Sequence, residues 1–307
     1  MPTNSHAVTV LSAIAAGLGL ALLGFHVYNA PAPTTTVASA AKLDNVPSFS
    51  CRLPVSGPGQ AGFLVFPSRN QVTDSTVHPI GGVAFTKGKG WINAPARLMS
   101  PDATMVAVAD PRNGQVMISD LNGRQMKQFS AAVNQVIGWT SAGIVAWSTS
   151  LDQIRVINPK DGTYRAFAAH HLAFLAANSS GIWSLTGGLS RMDPATGQVT
   201  LWYTFSKGSA GGSGGTLLGF DVNGSPVVWD APDYADGAWT VVVLAGPGIA
   251  HVLATSSTNS LFVPEHALGD VHGIWFTSLA GSVWLSTAGG LTQIGGTNAY
   301  VIAGPCT

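Results

Sequence analysis

The sequence predicts an all-β fold: a six-bladed β-propeller, with seven blades as the alternative, preceded by one N-terminal transmembrane helix. Three observations predict it. The chain opens on a long uncharged apolar stretch. The rest repeats at a spacing of about 40 residues, the size of a propeller blade. Two cysteines, Cys51 and Cys306, bracket the repeated region.

Residues 7–28 read AVTVLSAIAAGLGLALLGFHVY and contain no Asp, Glu, Lys or Arg. Twenty-two such residues suffice for one helical crossing. At an N-terminus this pattern is either a cleaved signal peptide or an uncleaved signal anchor. Ala38-Ser39-Ala40 fits a small-x-small cleavage site. It lies well downstream, however, and the apolar run is long for a signal peptide. The anchor is therefore preferred, with secretion after cleavage near Ala40 as the alternative. Residues 1–6 carry no Lys or Arg, so the positive-inside rule leaves the orientation open. Residues 29–47 follow as a Pro/Thr/Ala-rich spacer. Residues 48–307 are the expected folded domain.

Fourteen basic and fourteen acidic residues cancel, and charged residues make up 9% of the chain. A usual share is about a quarter. Without a basic patch, nucleic acid and anionic lipid are poor partners. Aliphatic residues are too frequent for disorder. Thirty-seven glycines point to a turn-rich β protein with a neutral polar surface.

Six segments share one form: a small residue, a short apolar run, a polar turn, a second run and a glycine turn. Their first core residues are Phe63, Met105, Ile144, Ile182, Val227 and Ile274, in steps of 42, 39, 38, 45 and 47. From the second copy onward a turn glycine follows 15 to 21 residues later: Gly123, Gly162, Gly197, Gly248 and Gly290. The two landmarks move together, which a chance repeat would not preserve. Val, Ile, Phe and Trp fill the runs, and Asp, Asn, Pro and Gly fill the turns, as tight hairpins require. Helical periodicity is absent beyond residue 30, which excludes parallel β/α architectures.

GIWSLTGGLSRMDPATGQVTLW, residues 181–202, resembles blades of virginiamycin B lyase-like bacterial propellers. SPDATMVAVADPRNGQVMISDLNGRQ, residues 100–125, resembles TolB-like and WD-repeat-like blades that open with Ser-Pro-Asp. The resemblance covers about four of the six copies. It implies blade architecture. It does not imply a function, since such blades serve enzymes and scaffolds alike.

Six copies imply a six-bladed ring, with residues 299–304 left over as a further strand. Propellers commonly close by letting a terminal strand complete the opposite terminal blade. Placed in the first blade, residues 299–304 would bring Cys306 to Cys51. A disulfide there would lock the ring and add about 4–5 kcal/mol in the chain-entropy model.

The candidate loops for function are 67–70, 110–113, 150–153, 186–188, 230–237 and 278–281, expected at one face. Asp230, Asp233 and Asp236 put three carboxylates in seven residues, hard oxygen ligands of the kind calcium takes. The spacing departs from an EF-hand loop, and a solvated hairpin using Asp for turns is the plainer reading. Tyr234 lies within the same hairpin. Trp91, in KGKGWINAP, is a candidate platform for a sugar or peptide. Most aromatics at repeat positions serve blade packing instead. His78, His170, His171, His251, His266 and His272 are expected at surface or capping positions, with Glu265, His266 and His272 flanking a longer connection. Gly211-Gly212-Ser213-Gly214-Gly215 matches G-x-S-x-G, but in a low-complexity run without the strand–helix context of a nucleophile elbow.

No residue is assigned a catalytic role. The expected function is a membrane-tethered extracytoplasmic propeller that binds or scaffolds a protein or glycan of the cell envelope. The alternative is a propeller enzyme, lyase- or lactonase-like, with a metal at the channel mouth.

Overall fold

The structure, a computed structural model, describes residues 48–307 except 58, 78, 80, 81, 171, 186, 207–213, 234–236, 258–261, 279 and 297–300. The expected membrane span at 7–28 and the spacer at 29–47 lie outside the described residues. Among the described residues no helix is long and apolar enough to cross a membrane.

Strands β1 (Cys51–Gly57), β2 (Gln60–Phe66) and β3 (Asn70–Asp74) form an antiparallel meander. A short hairpin follows, β4 (Ala84–Thr86) and β5 (Gly90–Ile92), then a single 3-10 turn at Ala96–Leu98. β6 (Met105–Asp110), β7 (Gln115–Asp120) and β8 (Gln125–Ser130) make a three-stranded sheet, with Met99 bridged to Val106 at its inner edge.

Two four-stranded meanders come next. One is β9 (Gln135–Thr140), β10 (Gly143–Ser148), β11 (Gln153–Ile157) and β12 (Tyr164–Ala168). The other is β13 (Ala173–Asn178), β14 (Gly181–Leu185), β15 (Gly188–Met192) and β16 (Val199–Thr204). Their first strands pair in parallel, joining them into one curled eight-stranded sheet. The pattern repeats in β17 (Gly215–Phe220), β18 (Pro226–Asp233), β19 (Ala238–Gly246) and β20 (Ile249–Thr255). These join β21 (Pro264–Asp270), β22 (Gly273–Ser278), β23 (Ser282–Thr287) and β24 (Gly290–Gly296) through β17 and β21. The last strand, β25 (Val301–Ile302), adds to β1. Antiparallel meanders whose first strands lie side by side are the blade arrangement of a β-propeller.

Burial sorts the strands. Second and third strands are apolar and covered, such as Gly143–Ser148 and Gln153–Ile157. Outer strands are largely exposed, such as Gln125–Ser130 and Tyr164–Ala168, and they hold Met126, Val199, Leu201 and Val252 at the surface.

Cores form between neighbouring meanders. Trp275, Leu285 and Ile294 pack on Leu53, Leu64 and Phe66, which joins the last meander to the first. Trp183 and Leu189 pack on Val228 and Val242, the same device at a different seam. Trp183 and Trp275 are both fully buried.

Each repeated turn glycine sits in the hairpin between a third and a fourth strand. Two show why the position is restricted. Gly162 and Gly197 have φ of 77° and 75°. A Cβ on either would collide with Phe129 or Phe167, from the outer strand of the preceding meander. Lys127 and Arg165, two residues before those rings, donate to the carbonyls of Lys160 and Ala195 in the same turns.

The hairpin between a first and a second strand is held differently. A polar side chain at the end of the first strand accepts backbone N–H groups of the turn, a local mimic of backbone pairing. Thr140 Oγ1 accepts from Ala142 at 3.1 Å, and Asn178 Oδ1 from Ser180 at 2.9 Å. Asp221 Oδ1 accepts from Ser225 at 2.7 Å, and Asp270 Oδ1 from His272 at 2.8 Å. At the β25–β1 pair the chain has no such turn, because the two strands come from opposite termini. The Cys51–Cys306 disulfide stands in its place, with Cα atoms 5.6 Å apart. Arg52 and Thr307 exchange backbone hydrogen bonds beside it, at 2.9 and 3.1 Å.

Candidate functional site

Successive turns of a meander alternate between two ends. The tight-turn end holds the first-to-second and third-to-fourth strand hairpins. The long-loop end holds the second-to-third hairpins and the connections between meanders. The described parts of loops 110–113, 150–153, 186–188, 230–237 and 278–281 belong to the long-loop end, as expected.

Loop 67–70 does not. It joins β2 to the exposed outer strand β3 and lies at the tight-turn end. The cause is the first meander's inner strand, which comes from β25. Phe63 therefore marks a third strand, whereas Met105, Ile144, Ile182, Val227 and Ile274 mark second strands. The leftover strand is also shorter than 299–304, ending at Ile302.

Asp230 ends the regular part of β18 and is 2% exposed. Its carboxylate accepts from the Tyr203 hydroxyl at 2.8 Å, the Ser206 hydroxyl at 2.9 Å and the Ser206 backbone N–H at 3.1 Å. Burial, then the facing Asp230 carboxylate, pushes the Tyr203 hydroxyl well above its ordinary value. Tyr203 lies on β16 and Ser206 just beyond it, so Asp230 latches β18 to the preceding meander. A carboxylate with its lone pairs so engaged is a structural acceptor. It is not an open ligand for calcium.

The ladder between β18 and β19 is irregular between Asp230 and Asp233, so the two do not continue one regular face. Tyr234 and Asp236 lie outside the described residues, as does the side chain of Asp233. Among the described residues no group of three His, Cys, Asp or Glu side chains is placed to hold a metal ion.

Trp91 is half-buried on β5. Its ring meets Phe63 at 5.4 Å and Phe85 at 5.3 Å. The Arg52 guanidinium covers the other partner of this cluster, lying 4.0 Å from the Phe63 ring centre. The cluster attaches the β4–β5 hairpin to β2. The backbone N–H of Phe85 also donates to Ala303, past the end of β25, at 2.8 Å.

The described histidines are dispersed. His170 is exposed in the β12–β13 connection and His251 is exposed on β20. Glu265 and His266 do not flank a long connection, because β21 runs through them to Asp270. Partial burial pushes the Glu265 carboxyl up, and His266 is exposed on β21. His272 stands at the tight-turn end, with Nδ1 3.4 Å from Asp270 and its ring 4.3 Å from Phe49. His78 and His171, and Ser213 of the glycine run, lie outside the described residues.

Sequence reasoning missed two latches. One is the Tyr203–Asp230–Ser206 set. The other is Asp270, which is 6% exposed and whose Oδ2 accepts the Cys306 backbone N–H at 2.9 Å. Asp270 occupies the same place as Asp221 and Asn178, at the end of an inner strand. That shared position was the available signal.

No protein-family model matches the chain, and no curated protein matches it. Among solved structures it is similar to BamB from Moraxella catarrhalis, at 11% identity and TM-score 0.39, over 86% of this chain and 88% of that one. It is similar to TolB from Acinetobacter baumannii, at 14% identity and TM-score 0.45, over 85% of this chain and 68% of that one. AztD from Citrobacter koseri is similar at 8% identity and TM-score 0.38, over 80% of this chain and 70% of that one. The propeller assignment rests on this chain's own sheet topology.

Proposed function

We propose that the chain is a six-bladed propeller, tethered outside the cytoplasm by residues 7–28 and a spacer at 29–47. In this reading its long-loop end binds a protein or glycan of the cell envelope. Six blades follow when β25 completes β1–β3 and Met99 completes β6–β8. The disulfide supports an oxidising compartment.

The use made of the carboxylates carries the functional reading. Asp102, Asp161 and Asp193 each fold back on their own turn, accepting from Thr104, Thr163 and Ala195. Asp230 and Asp270 latch neighbouring segments. The long-loop end carries Asp110, Arg112 and Asp152 together with neutral hydrogen-bonding groups. Asn134 Oδ1 accepts the Thr149 backbone N–H and hydroxyl at 2.9 Å each, and the Ser278 and Ser282 hydroxyls meet at 2.6 Å. Neutral amides and hydroxyls favour recognition by hydrogen bonding and shape over charge. The hairpin with Asp233, Tyr234 and Asp236, together with Trp91, supplies the candidate contacts, and calcium is the candidate ion for that hairpin.

The test is capture by the full chain in detergent, against envelope protein extracts with a crosslinker and against a glycan array, with and without calcium. The expected result is saturable binding to one protein or glycan, weakened by Asp233→Ala with Asp236→Ala. Turnover of a small ester or lactone, with no bound partner, would overturn it.

A further inference from the structure

We propose that the tight-turn end seats on the neutral lipid surface through the turns that follow β17 and β21. The proposal rests on reading residues 7–28 as a membrane anchor. Val271, at the tip of the β21–β22 turn, is 86% exposed, and Val222, in the β17–β18 turn, is 58% exposed. Ile249, beside the β19–β20 turn at the same end, is 54% exposed. Aliphatic side chains held out at turn tips gain from leaving water, and grouped ones mark a contact surface.

These turns adjoin the place where the chain enters the domain. The Phe49 ring lies on His272, the residue after Val271. The backbone of Asp221 and Val222 lies so close to Gly269 that a Cβ there would have no room. Phe49, Val271 and Val222 thus follow one another across adjacent segments. The acids of the two turns are directed onto backbone N–H groups: Asp221 onto Ser225, Asp270 onto His272 and Cys306.

Equivalent turns elsewhere are polar. Ser141-Ala142 and Ser179-Ser180 replace the valine-bearing turns. Exposed charges at this end include Arg124, Lys160 and Asp161 in the turns before β8 and β12, Asp102 in the turn before β6, and Arg52 at the start of β1. The exposed valines stand in the turns nearest the place where the chain enters the domain, with their acids turned onto backbone N–H groups. A shallow contact by a few aliphatic side chains is weak alone. The anchor supplies the effective concentration that populates it. The spacer, at about 3.5 Å per residue when extended, is long enough to hold the domain clear of the surface, so seating is not imposed by the tether.

The experiment places the full chain in phosphatidylcholine nanodiscs carrying brominated lipid. Val271→Cys, Val222→Cys and Leu151→Cys are each labelled with bimane. Cys51 and Cys306 are paired and do not label. Leu151 is 49% exposed at the long-loop end and serves as the reference. The labels at 271 and 222 should lose most of their emission and shift to the blue, while the label at 151 stays bright. Adding Val271→Asp to the Val222→Cys chain should restore its emission. A label at 271 as bright as that at 151, in a chain that has entered the nanodisc, overturns the seating alone. A chain that never enters the nanodisc overturns the anchor reading and the seating with it.

Discussion

The β9–β10 and β25–β1 pairs solve one problem in two ways. Both join an inner strand to the second strand of its blade. In β9–β10 the join is a two-residue turn held by the Thr140 hydroxyl. In β25–β1 it is the disulfide between residues 255 apart, backed by the Asp270 carboxylate on Cys306. A turn closes a loop of a few residues, and its closure entropy is small. Closing nearly the whole chain costs more, and a covalent bond removes that cost from the folding equilibrium. The bond is placed at a strand pair that no turn connects.

Breaking the bond has the largest expected effect. Cys51→Ser with Cys306→Ser should destabilise by about 5 kcal/mol on the chain-entropy model. A urea titration of the full chain in detergent should show the midpoint fall, and an unchanged midpoint would refute the closure role. Asp230→Ala comes next. It removes a buried carboxylate and orphans the Tyr203 and Ser206 donors, at about 3 kcal/mol. Asp230→Asn should recover part of this, whereas complete recovery would show that the charge is immaterial.

The comparison sharpens when the two polar turns are set side by side. Asp270→Asn weakens charge-assisted bonds to His272 and to Cys306, and should cost about 2 kcal/mol. Asp221→Asn, at the matching position without the terminal contact, should cost about 1 kcal/mol or less. Equal costs would mean that the Cys306 contact adds nothing.

Acid should have the smallest effect. The Ser100 and Thr104 hydroxyls hold Asp102 below its ordinary value of 3.8, the Thr163 hydroxyl does so for Asp161, and the Ala195 and Thr196 N–H groups do so for Asp193. A lowered folded pKa stabilises above the unfolded value and ceases to do so as pH falls through the folded one. The contribution of these three aspartates to Tm should therefore be constant well above pH 3.8 and be lost below it. The Tm of the Asp102→Asn, Asp161→Asn, Asp193→Asn triple variant should fall less steeply.

What was legible in the sequence was what the blade repeats locally. Met105, Ile144, Ile182, Val227 and Ile274 fall on second strands, and their partner glycines have φ between 72° and 104°. Both follow from alternating burial and from hairpin geometry, which act over a few residues. The terminal pairing of Cys51 with Cys306 was legible because two cysteines bracketed one repeat array. The first blade was misaligned by one strand, since its inner strand is supplied from 250 residues away and leaves no local trace before Cys51. The β4–β5 hairpin, outside the repeat, also gave no periodic signal. Asp230 read as a loop ligand because its hydrogen-bond partner Tyr203 is 27 residues distant and on another blade. Residue type predicts that an Asp can bind a cation. Only the neighbouring strand reveals that its oxygens are occupied.

The central claim, that the disulfide serves as the missing turn of the first blade, is tested most directly by native-state hydrogen exchange on the full chain and its Cys51→Ser, Cys306→Ser variant. The amides to follow are Arg52, Ala303 and Thr307 across β25–β1, against those of the β9–β10 pair. Under conditions where both proteins remain folded, the terminal amides should lose protection selectively in the variant, with β9–β10 unchanged. Equal loss at both pairs, or full protection at β25–β1 without the bond, would contradict it.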